Sequence, residues 1–252
     1  MNSSRTWTAG LIVIGDEILS GRTDDRNVAQ VARWLNTQGI RLQEVRIVPD
    51  EQKGIVAAVN AFRPTYDYVF TTGGIGPTHD DITIDSIAAA FEVPVIVHPE
   101  ARGILEEYYK DRPLGLTEAR IRMARVPSGA ELIPNPTSGA PGVRIGNVFI
   151  LAGVPNIALA MLEGLEGKLE GGRPMVSATV RAHAAESDVA DLLKRVQDEH
   201  PGVWIGSYPF YGGGKYGADF VVRSEDGSLA RRCAEALRDR LREAKIELAA
   251  EQ

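Results

Sequence analysis

The sequence predicts an α/β protein in two parts: a three-layer sandwich around a mostly parallel sheet, and a small α+β domain after it. Apolar strand patterns alternate with amphipathic helix patterns up to residue 165, which is typical of βαβ units with helices on both faces of a sheet. Residues 166–174 contain three glycines and a proline, which indicates a linker. A β-α-β-β-α pattern follows it. We therefore expect a large domain over residues 1–172 and a small one over 173–252.

Hydrophobic periodicity predicts the elements of the large domain in order. Apolar runs and alternating patterns predict strands at 9–14, 41–48, 68–72 and 148–151. Apolar residues three and four apart predict helices at 27–38, 51–62, 82–91 and 155–165. Two further helical stretches lie between residues 99 and 123 and are broken at 112–115. Residues 127–142 read as one long loop rich in proline, glycine and asparagine, a kind of segment that is often functional.

The small domain is predicted from the same two periodicities. Strands are expected at 176–182, 203–207 and 218–223. Helices are expected at 187–199 and 229–248. A glycine-rich turn over 208–217 would join the last two strands.

Composition limits the class of protein. The 252 residues are 44% hydrophobic and 25% charged, enough for one large or two modest cores. The net charge of −6 argues against a nonspecific nucleic-acid surface, which needs a concentrated basic face. No apolar stretch approaches the roughly 20 residues of a membrane span, and no signal peptide is evident, so we expect a cytoplasmic protein. The single cysteine, Cys233, excludes an intrachain disulfide.

The most informative segment is the glycine turn, Thr72 to Thr83, which reads T-G-G-I-G-P-T-H-D-D-I-T. It lies between a predicted strand and a predicted helix, and glycines there let a phosphate approach backbone amides and the helix N-terminus. Asp80, Asp81 and Asp85 would repel a bare phosphate, so a bridging cation or a protonated ligand group is implied. Capping of the helix by these acids is the alternative.

Two familiar phosphate motifs do not match. His79 occupies the last position of a G-x-G-x-x-G pattern, which breaks the dinucleotide fingerprint. After Gly212, Gly213, Gly214 and Lys215, Tyr216 stands where a P-loop needs serine or threonine to bind magnesium. Neither motif is therefore present.

The glycine turn resembles the T-G-G-x-G-P-T-x-D-D-x-T signature of the molybdopterin-binding (MoaB/Mog-like) domain superfamily, in the form found in the N-terminal region of CinA-type proteins. Residues 14–22, 135–142 and 151–155 agree with the same family, although Ala152 replaces its usual proline. Full-length CinA proteins have a further deamidase domain, which we expect to be absent here.

The resemblance implies that Asp50 and Asp81 face the ligand as catalytic residues. Asp50 could instead cap the helix that starts after it. Asp81 and Asp85 are four residues apart and are expected to share a helix face. With Asp80, and with Asp16 at the end of the first strand, they could hold one divalent cation, Mg, Mn or Co. His79 is a candidate acid or base, or a solvated loop histidine.

Further residues are predicted to contact the ligand through backbone and small polar groups. Those of the glycine turn are Gly73, Gly74, Ile75, Gly76 and Thr78. Those of the later loops are Asn135, Ser138, Gly139, Gly142 and Gly153. Turn geometry alone would also explain the glycines.

Two functions share this predicted pocket. The CinA-like details imply a metal-dependent pyrophosphatase acting on ADP-ribose or a related dinucleotide such as FAD. The alternative is molybdopterin binding or transfer in molybdenum cofactor assembly. A KH-like nucleic-acid-binding role for the small domain is a third reading, but residues 208–217 lack a clear G-x-x-G clamp. We expect a homo-oligomer with a small phosphate or dinucleotide ligand, and neither nucleic acid nor membrane as a partner.

Overall fold

The computed structural model describes residues 5–212 and 215–249. The chain divides into two compact units, Met1–Gly172 and Arg173–Gln252. Each unit has its own buried hydrophobic clusters. The predicted fold class, a mostly parallel sheet between helices followed by a small α+β unit, is confirmed.

Strands of the first unit form a six-stranded sheet and a separate two-stranded one. In chain order the strands are β1 (Trp7–Ile14), β2 (Ile40–Val48), β3 (Tyr68–Thr72), β4 (Val95–Val97), β5 (Arg125–Pro127), β6 (Glu131–Ile133), β7 (Gly142–Ile145) and β8 (Val148–Leu151). The large sheet has the order β2-β1-β3-β8-β7-β6. Its first four strands are parallel, and β7 runs antiparallel to both β8 and β6.

Helices cover both faces of the large sheet. They are α1 (Asp16–Leu19), α2 (Asn27–Thr37), α3 (Gln52–Phe62), α4 (Thr83–Ala90), α5 (Pro99–Tyr109), α6 (Glu118–Ile121) and α7 (Pro155–Glu163). On β1, Leu11 and Val13 share a core with α2 and α7, whereas Ile12 and Ile14 share one with α3 and α4. This alternation is the strand period of two, and it fixes the three layers.

Three features of the first unit differ from the sequence prediction. The long loop predicted over 127–142 contains β6 and reaches the start of β7, and these two strands pair. Strand β4 pairs with β5. Helix α1 follows β1 directly, so Asp16 begins a helix rather than ending a strand. Elements of three or four residues are too short to show a hydrophobic period in the sequence. They form because they pair with a strand distant in the chain or because the local turn requires them.

The second unit is a three-stranded antiparallel sheet with two helices. Its elements are β9 (Val176–Ala182), α8 (Glu186–Asp198), β10 (Trp204–Gly212), β11 (Lys215–Ser224) and α9 (Gly227–Glu243), and the strand order is β10-β11-β9. The hydrophobic cluster between sheet and helices includes Phe220, Leu237 and the buried Cys233.

Two predictions for the second unit are corrected. The turn expected over 208–217 is mostly strand, since β10 and β11 pair from Trp204 to Gly212 and from Lys215 onward; Gly213 and Gly214 lie outside the described residues. The last helix ends at Glu243 rather than at Leu248, and Lys245 adopts a positive φ of 60° that stops it. No helix within residues 5–212 and 215–249 is long and apolar enough to span a bilayer.

A fragment that ends at Gly172 should fold alone, because the buried clusters of the first unit use residues of that unit only. We expect a single cooperative thermal transition by circular dichroism and a native α/β spectrum. The matched control is a fragment that ends at Gly153, which removes α7 and its buried Met161 and Leu162. Equal behaviour of the two fragments, folded or aggregated, would contradict the boundary.

Candidate functional site

A cleft of about 640 Å³ lies at the carboxyl ends of β1, β3 and β8. These ends meet at one edge of a parallel sheet, where ligands of open α/β folds bind. The cleft is lined by residues that follow the three strands: Glu17, Thr23, Gly73, Gly74, Ile75, Gly76, Ala152, Gly153 and Val154. It is also lined by residues of the chain between β3 and β8: Tyr109, Arg120, Met123, Ser138 and Ala140. The glycine turn thus lines the cleft.

The glycine turn leaves β3 through two residues with positive φ, Gly73 at 104° and Gly74 at 64°. A Cβ at Gly73 would overlap the carbonyl oxygen of Ile14, and one at Gly74 would overlap the hydroxyl of Thr83. The buried Thr83 holds the turn, because its hydroxyl donates to Gly73 O at 2.9 Å and its amide donates to Gly74 O at 3.0 Å. Only glycine meets both the conformational and the steric demand.

Backbone amides of the turn fall into two groups. The Gly73 amide donates to Leu151 O at 3.2 Å, and the Gly76 amide donates to Asp81 Oδ1 at 2.7 Å. For the amides of Gly74 and Ile75, the described part of the chain provides no acceptor. These two amides are therefore the donors that the turn can offer to a ligand.

Asp81 closes the glycine turn. Besides its bond from Gly76, its Oδ2 accepts from the Thr78 amide at 2.8 Å and from the Thr78 hydroxyl at 2.5 Å. Helix α4 begins only at Thr83, so Asp81 precedes it and does not share a helix face with Asp85, contrary to the sequence expectation. Both carboxylate oxygens are engaged in the turn itself.

Asp85 and His79 do not converge on the cleft. The Asp85 carboxylate accepts from Arg125 Nη2 at 2.6 Å, which ties α4 to the start of β5. The His79 side chain is 99% exposed and lies 3.9 Å from Asp80. This exposure fits a solvated loop histidine, the second of the two readings taken from the sequence.

A different group of acids surrounds Asp50. The Asp16 amide donates to Asp50 Oδ2 at 2.9 Å. The pKa of Asp50 is raised, chiefly because the carboxyl is partly buried, and the negative charges of Asp16, Glu17 and Asp80 raise it further. The hydrogen bond from the Asp16 amide acts in the opposite direction and lowers this pKa. The pKa of Asp80 is lowered instead, chiefly by the neighbouring Thr78 side chain. Asp50, Asp16 and Asp80 are thus electrostatic neighbours beside Glu17 of the cleft.

The predicted metal set of Asp16, Asp80, Asp81 and Asp85 is therefore not assembled. Among the residues that the structure describes, no three His, Cys, Asp or Glu side chains are placed to hold a metal ion. Asp81 is held by the turn and Asp85 by Arg125, while Asp16 and Asp80 lie near Asp50. A cation at this site would need oxygen ligands from the substrate as well as from the protein.

Residues predicted in the loop before β7 serve two purposes. Asn135 is buried, and its Nδ2 donates to Ser138 Oγ and to Ala140 O, both at 2.6 Å, so it shapes the loop. Ser138 lines the cleft. Gly139 has a φ of 75° and packs against the Tyr108 ring, whereas Gly142 lies buried at the start of β7.

Sequence reasoning missed the wall built by Tyr109, Arg120 and Met123. These residues lie at the end of α5, in α6 and just after it, and no motif spacing connects them with the glycine turn. Two neighbouring tyrosines before an exposed proline-glycine break were the available signal. It is a weak one, because aromatic residues at helix ends are common.

Comparison with known proteins follows the same division of the chain. Residues 10–170 match the family model described as a probable molybdopterin binding domain. The chain belongs to this molybdopterin-binding domain family. Residues 174–250 match a second model, described as the middle domain of FAD synthase.

Relatives of this family member span most of its length. A protein of Aeropyrum pernix is 35% identical, and the aligned region covers 93% of this chain and 90% of that protein. One of Pyrobaculum calidifontis is 35% identical and covers 80% of each. A solved structure of the protein CinA from Thermoplasma acidophilum, described as of unknown function, is 31% identical with a TM-score of 0.60; it covers 65% of this chain and 98% of its own. The CinA-like resemblance is thus confirmed for the first unit.

Replacement of Gly74 by alanine should distort the turn. Alanine at this position faces both the positive φ and the overlap with the Thr83 hydroxyl, whereas Gly129→Ala, at a φ of 82° with open space around it, faces only the first. The strained φ costs roughly 1–2 kcal/mol in each variant, and the overlap adds about 1–3 kcal/mol to Gly74→Ala alone. Urea unfolding of both variants measures the difference. Equal losses would show that the turn relaxes freely.

Asp50→Asn should stabilise the protein at neutral pH. A carboxyl whose folded pKa is raised contributes stability below its unfolded pKa, and this contribution is lost as pH rises through the folded pKa. We expect the variant to exceed the wild type in unfolding free energy at about pH 7 and to match it near about pH 3, in buffer with chelator.

The control for this prediction has the opposite sign. The pKa of Asp226 is lowered, chiefly by its hydrogen bond from Ser228, so its contribution is present above the unfolded pKa and lost as pH falls through the folded one. Asp226→Asn should therefore destabilise the protein at about pH 7. A pH-independent effect of Asp50→Asn would refute the electrostatic account of the Asp50 group.

Proposed function

We propose that the cleft is a metal-dependent pyrophosphatase site for ADP-ribose or a related dinucleotide such as FAD. The observation that carries the proposal is the position of the glycine turn on a cleft of about 640 Å³ at the carboxyl edge of the sheet. Small-molecule sites span roughly 300–1,000 Å³. The cleft has room for a heterocycle together with its phosphates.

Phosphate binding is supported by the two amides of Gly74 and Ile75. Oriented amide dipoles in a partly desolvated site hold an anion without any reorganisation during reaction. Apolar residues beside them, including Ile157 and Met161, offer a surface for a flat ring. A phosphate-bearing heterocyclic ligand meets both kinds of wall.

A divalent cation fits this site only as a partner of the substrate. Magnesium is commonly bound by one or two carboxylates together with substrate phosphates. Asp50, with Asp16 and Asp80 as its neighbours, would supply the carboxylates. The cation would offset the charge of the diphosphate and lower the pKa of a bound water.

The small unit supports a dinucleotide of the flavin type as one substrate to test, because it resembles the middle domain of FAD synthase. FAD and ADP-ribose share an adenosine diphosphate moiety, so a single cleft could accept both.

A second function has its own support. The family model is described as molybdopterin binding, and within the described residues no three-donor metal group is present. The same cleft would then bind the pterin's phosphate in cofactor assembly without cleaving it.

Cleavage of ADP-ribose to AMP and ribose 5-phosphate, in magnesium, manganese or cobalt, is the outcome we expect. Chromatographic detection of AMP measures it, and EDTA should stop it. Asp50→Asn should lower turnover by at least about tenfold, since it halves the negative charge of the Asp16–Asp50 pair that would bind the cation. Glu51→Gln, at the adjacent exposed residue, is the matched control and should retain activity.

Two results would decide between the functions. If no metal supports cleavage of ADP-ribose or FAD while molybdopterin binds at micromolar affinity, roughly −8 kcal/mol, the binding function replaces the enzymatic one. If Glu51→Gln and Asp50→Asn lose activity equally, the assignment of Asp50 is wrong.

A further inference from the structure

Arg120 supplies a positive charge to the lining of the cleft from a segment of the chain other than the glycine turn. Its guanidinium stacks on the Tyr109 ring, with Cζ 4.2 Å from the ring centroid, and both residues line the cleft. Among the cleft-lining residues in the described ranges, Arg120 is the only lysine or arginine. The acidic side chains there are Glu17 and Asp81, and the turn already engages both oxygens of Asp81.

The hydrogen bonds of Arg120 leave part of its guanidinium available. Nη1 donates to Pro113 O at 3.1 Å and to Gly115 O. An arginine has five N–H donors in a planar fork, and within the described chain no acceptor is recorded for Nε or Nη2. No carboxylate within the described ranges forms an ion pair with Arg120 either, whereas nearby Arg125 pairs with Asp85 and Arg102 with Glu106.

This arrangement places an uncompensated cation in a fixed position. The two carbonyl bonds and the ring contact restrict the side chain, which is half-buried in the cleft wall. A restrained guanidinium loses less entropy on binding and presents paired N–H groups to a phosphate. Stacking on an aromatic ring leaves the edge of the guanidinium free for that purpose.

We propose that Arg120 is a ligand-binding residue that takes a second anionic group of the substrate, distinct from the phosphate held by the Gly74 and Ile75 amides. The proposal rests on phosphate binding by the cleft. It assigns the cleft to ligands with two linked anionic groups, above all diphosphates, because one group alone would leave either the amides or the guanidinium unpaired. Arg120 would therefore favour ADP-ribose over AMP.

The test compares three ligands by isothermal titration calorimetry in EDTA: ADP-ribose, AMP and adenosine. In the wild type we expect ADP-ribose to bind most tightly. Arg120→Gln should weaken the binding of ADP-ribose by at least about tenfold, which corresponds to about 1.4 kcal/mol. The affinity for adenosine should stay within about twofold of the wild-type value. Arg120→Lys keeps the charge without the fork and should restore part of the loss.

Arg112→Gln is the matched control. Arg112 belongs to the same segment and also stacks on a tyrosine, with Cζ 4.0 Å from the Tyr108 ring centroid, but it does not line the cleft. We expect it to bind all three ligands as the wild type does. Thermal unfolding of each unliganded variant shows whether the wall stays folded.

The possible outcomes distinguish the role of Arg120 from the pyrophosphatase activity. The proposal is overturned if Arg120→Gln binds ADP-ribose as tightly as the wild type does. It is also overturned if the variant loses affinity for adenosine and ADP-ribose equally and has a lowered melting temperature, because that result indicates a structural role. If Arg120→Gln selectively loses affinity for ADP-ribose, but the wild type shows no turnover with any metal, the role of Arg120 is supported and the pyrophosphatase is refuted. A wild type that binds none of the ligands, in EDTA or after magnesium is added, refutes both.

Discussion

Close backbone packing at the end of β3 is the constraint on which the site depends. Gly73 leaves no room for a side chain beside Ile14, and a Cβ at Gly153 would lie 3.2 Å from the Gly73 Cα. The exits of three parallel strands therefore meet at bare backbone. The turn that follows must bend with positive φ, and Thr83 and Asp81 hold it in that form. The cleft opens where this packing ends.

Carboxylates near the turn divide into structural and electrostatic roles. Asp81 satisfies amides that would otherwise be unpaired, and Asp85 neutralises Arg125. Asp50 differs, because burial and three acidic neighbours oppose its ionisation. A group held at such a cost, close to a cleft, is a candidate for function. In this reading the site carries unfavourable charge that a cation bound with the substrate would relieve.

The proposed anion binding requires no basic surface. The net charge is −6, so attraction of a phosphate must come from local groups rather than from the overall field. Two backbone amides and one stacked guanidinium meet that need at short range. Such groups select by geometry, since a free amide or a half-used arginine fork is satisfied only by an oxygen in the right place.

The strand and helix alternation, the fold class and the glycine turn could all be predicted from the sequence, because they follow from local periodicity and from the conformational freedom of glycine. Tertiary structure alone decided the pairing of β4 with β5 and of β6 with β7, and it brought Tyr109 and Arg120 to the cleft. It also separated acids that are neighbours in the chain: Asp85 bonds Arg125, forty residues away, while Asp50 meets Asp16. Spacing along the chain reports only which residues share one element, whereas the partners of a charge are set by packing between elements.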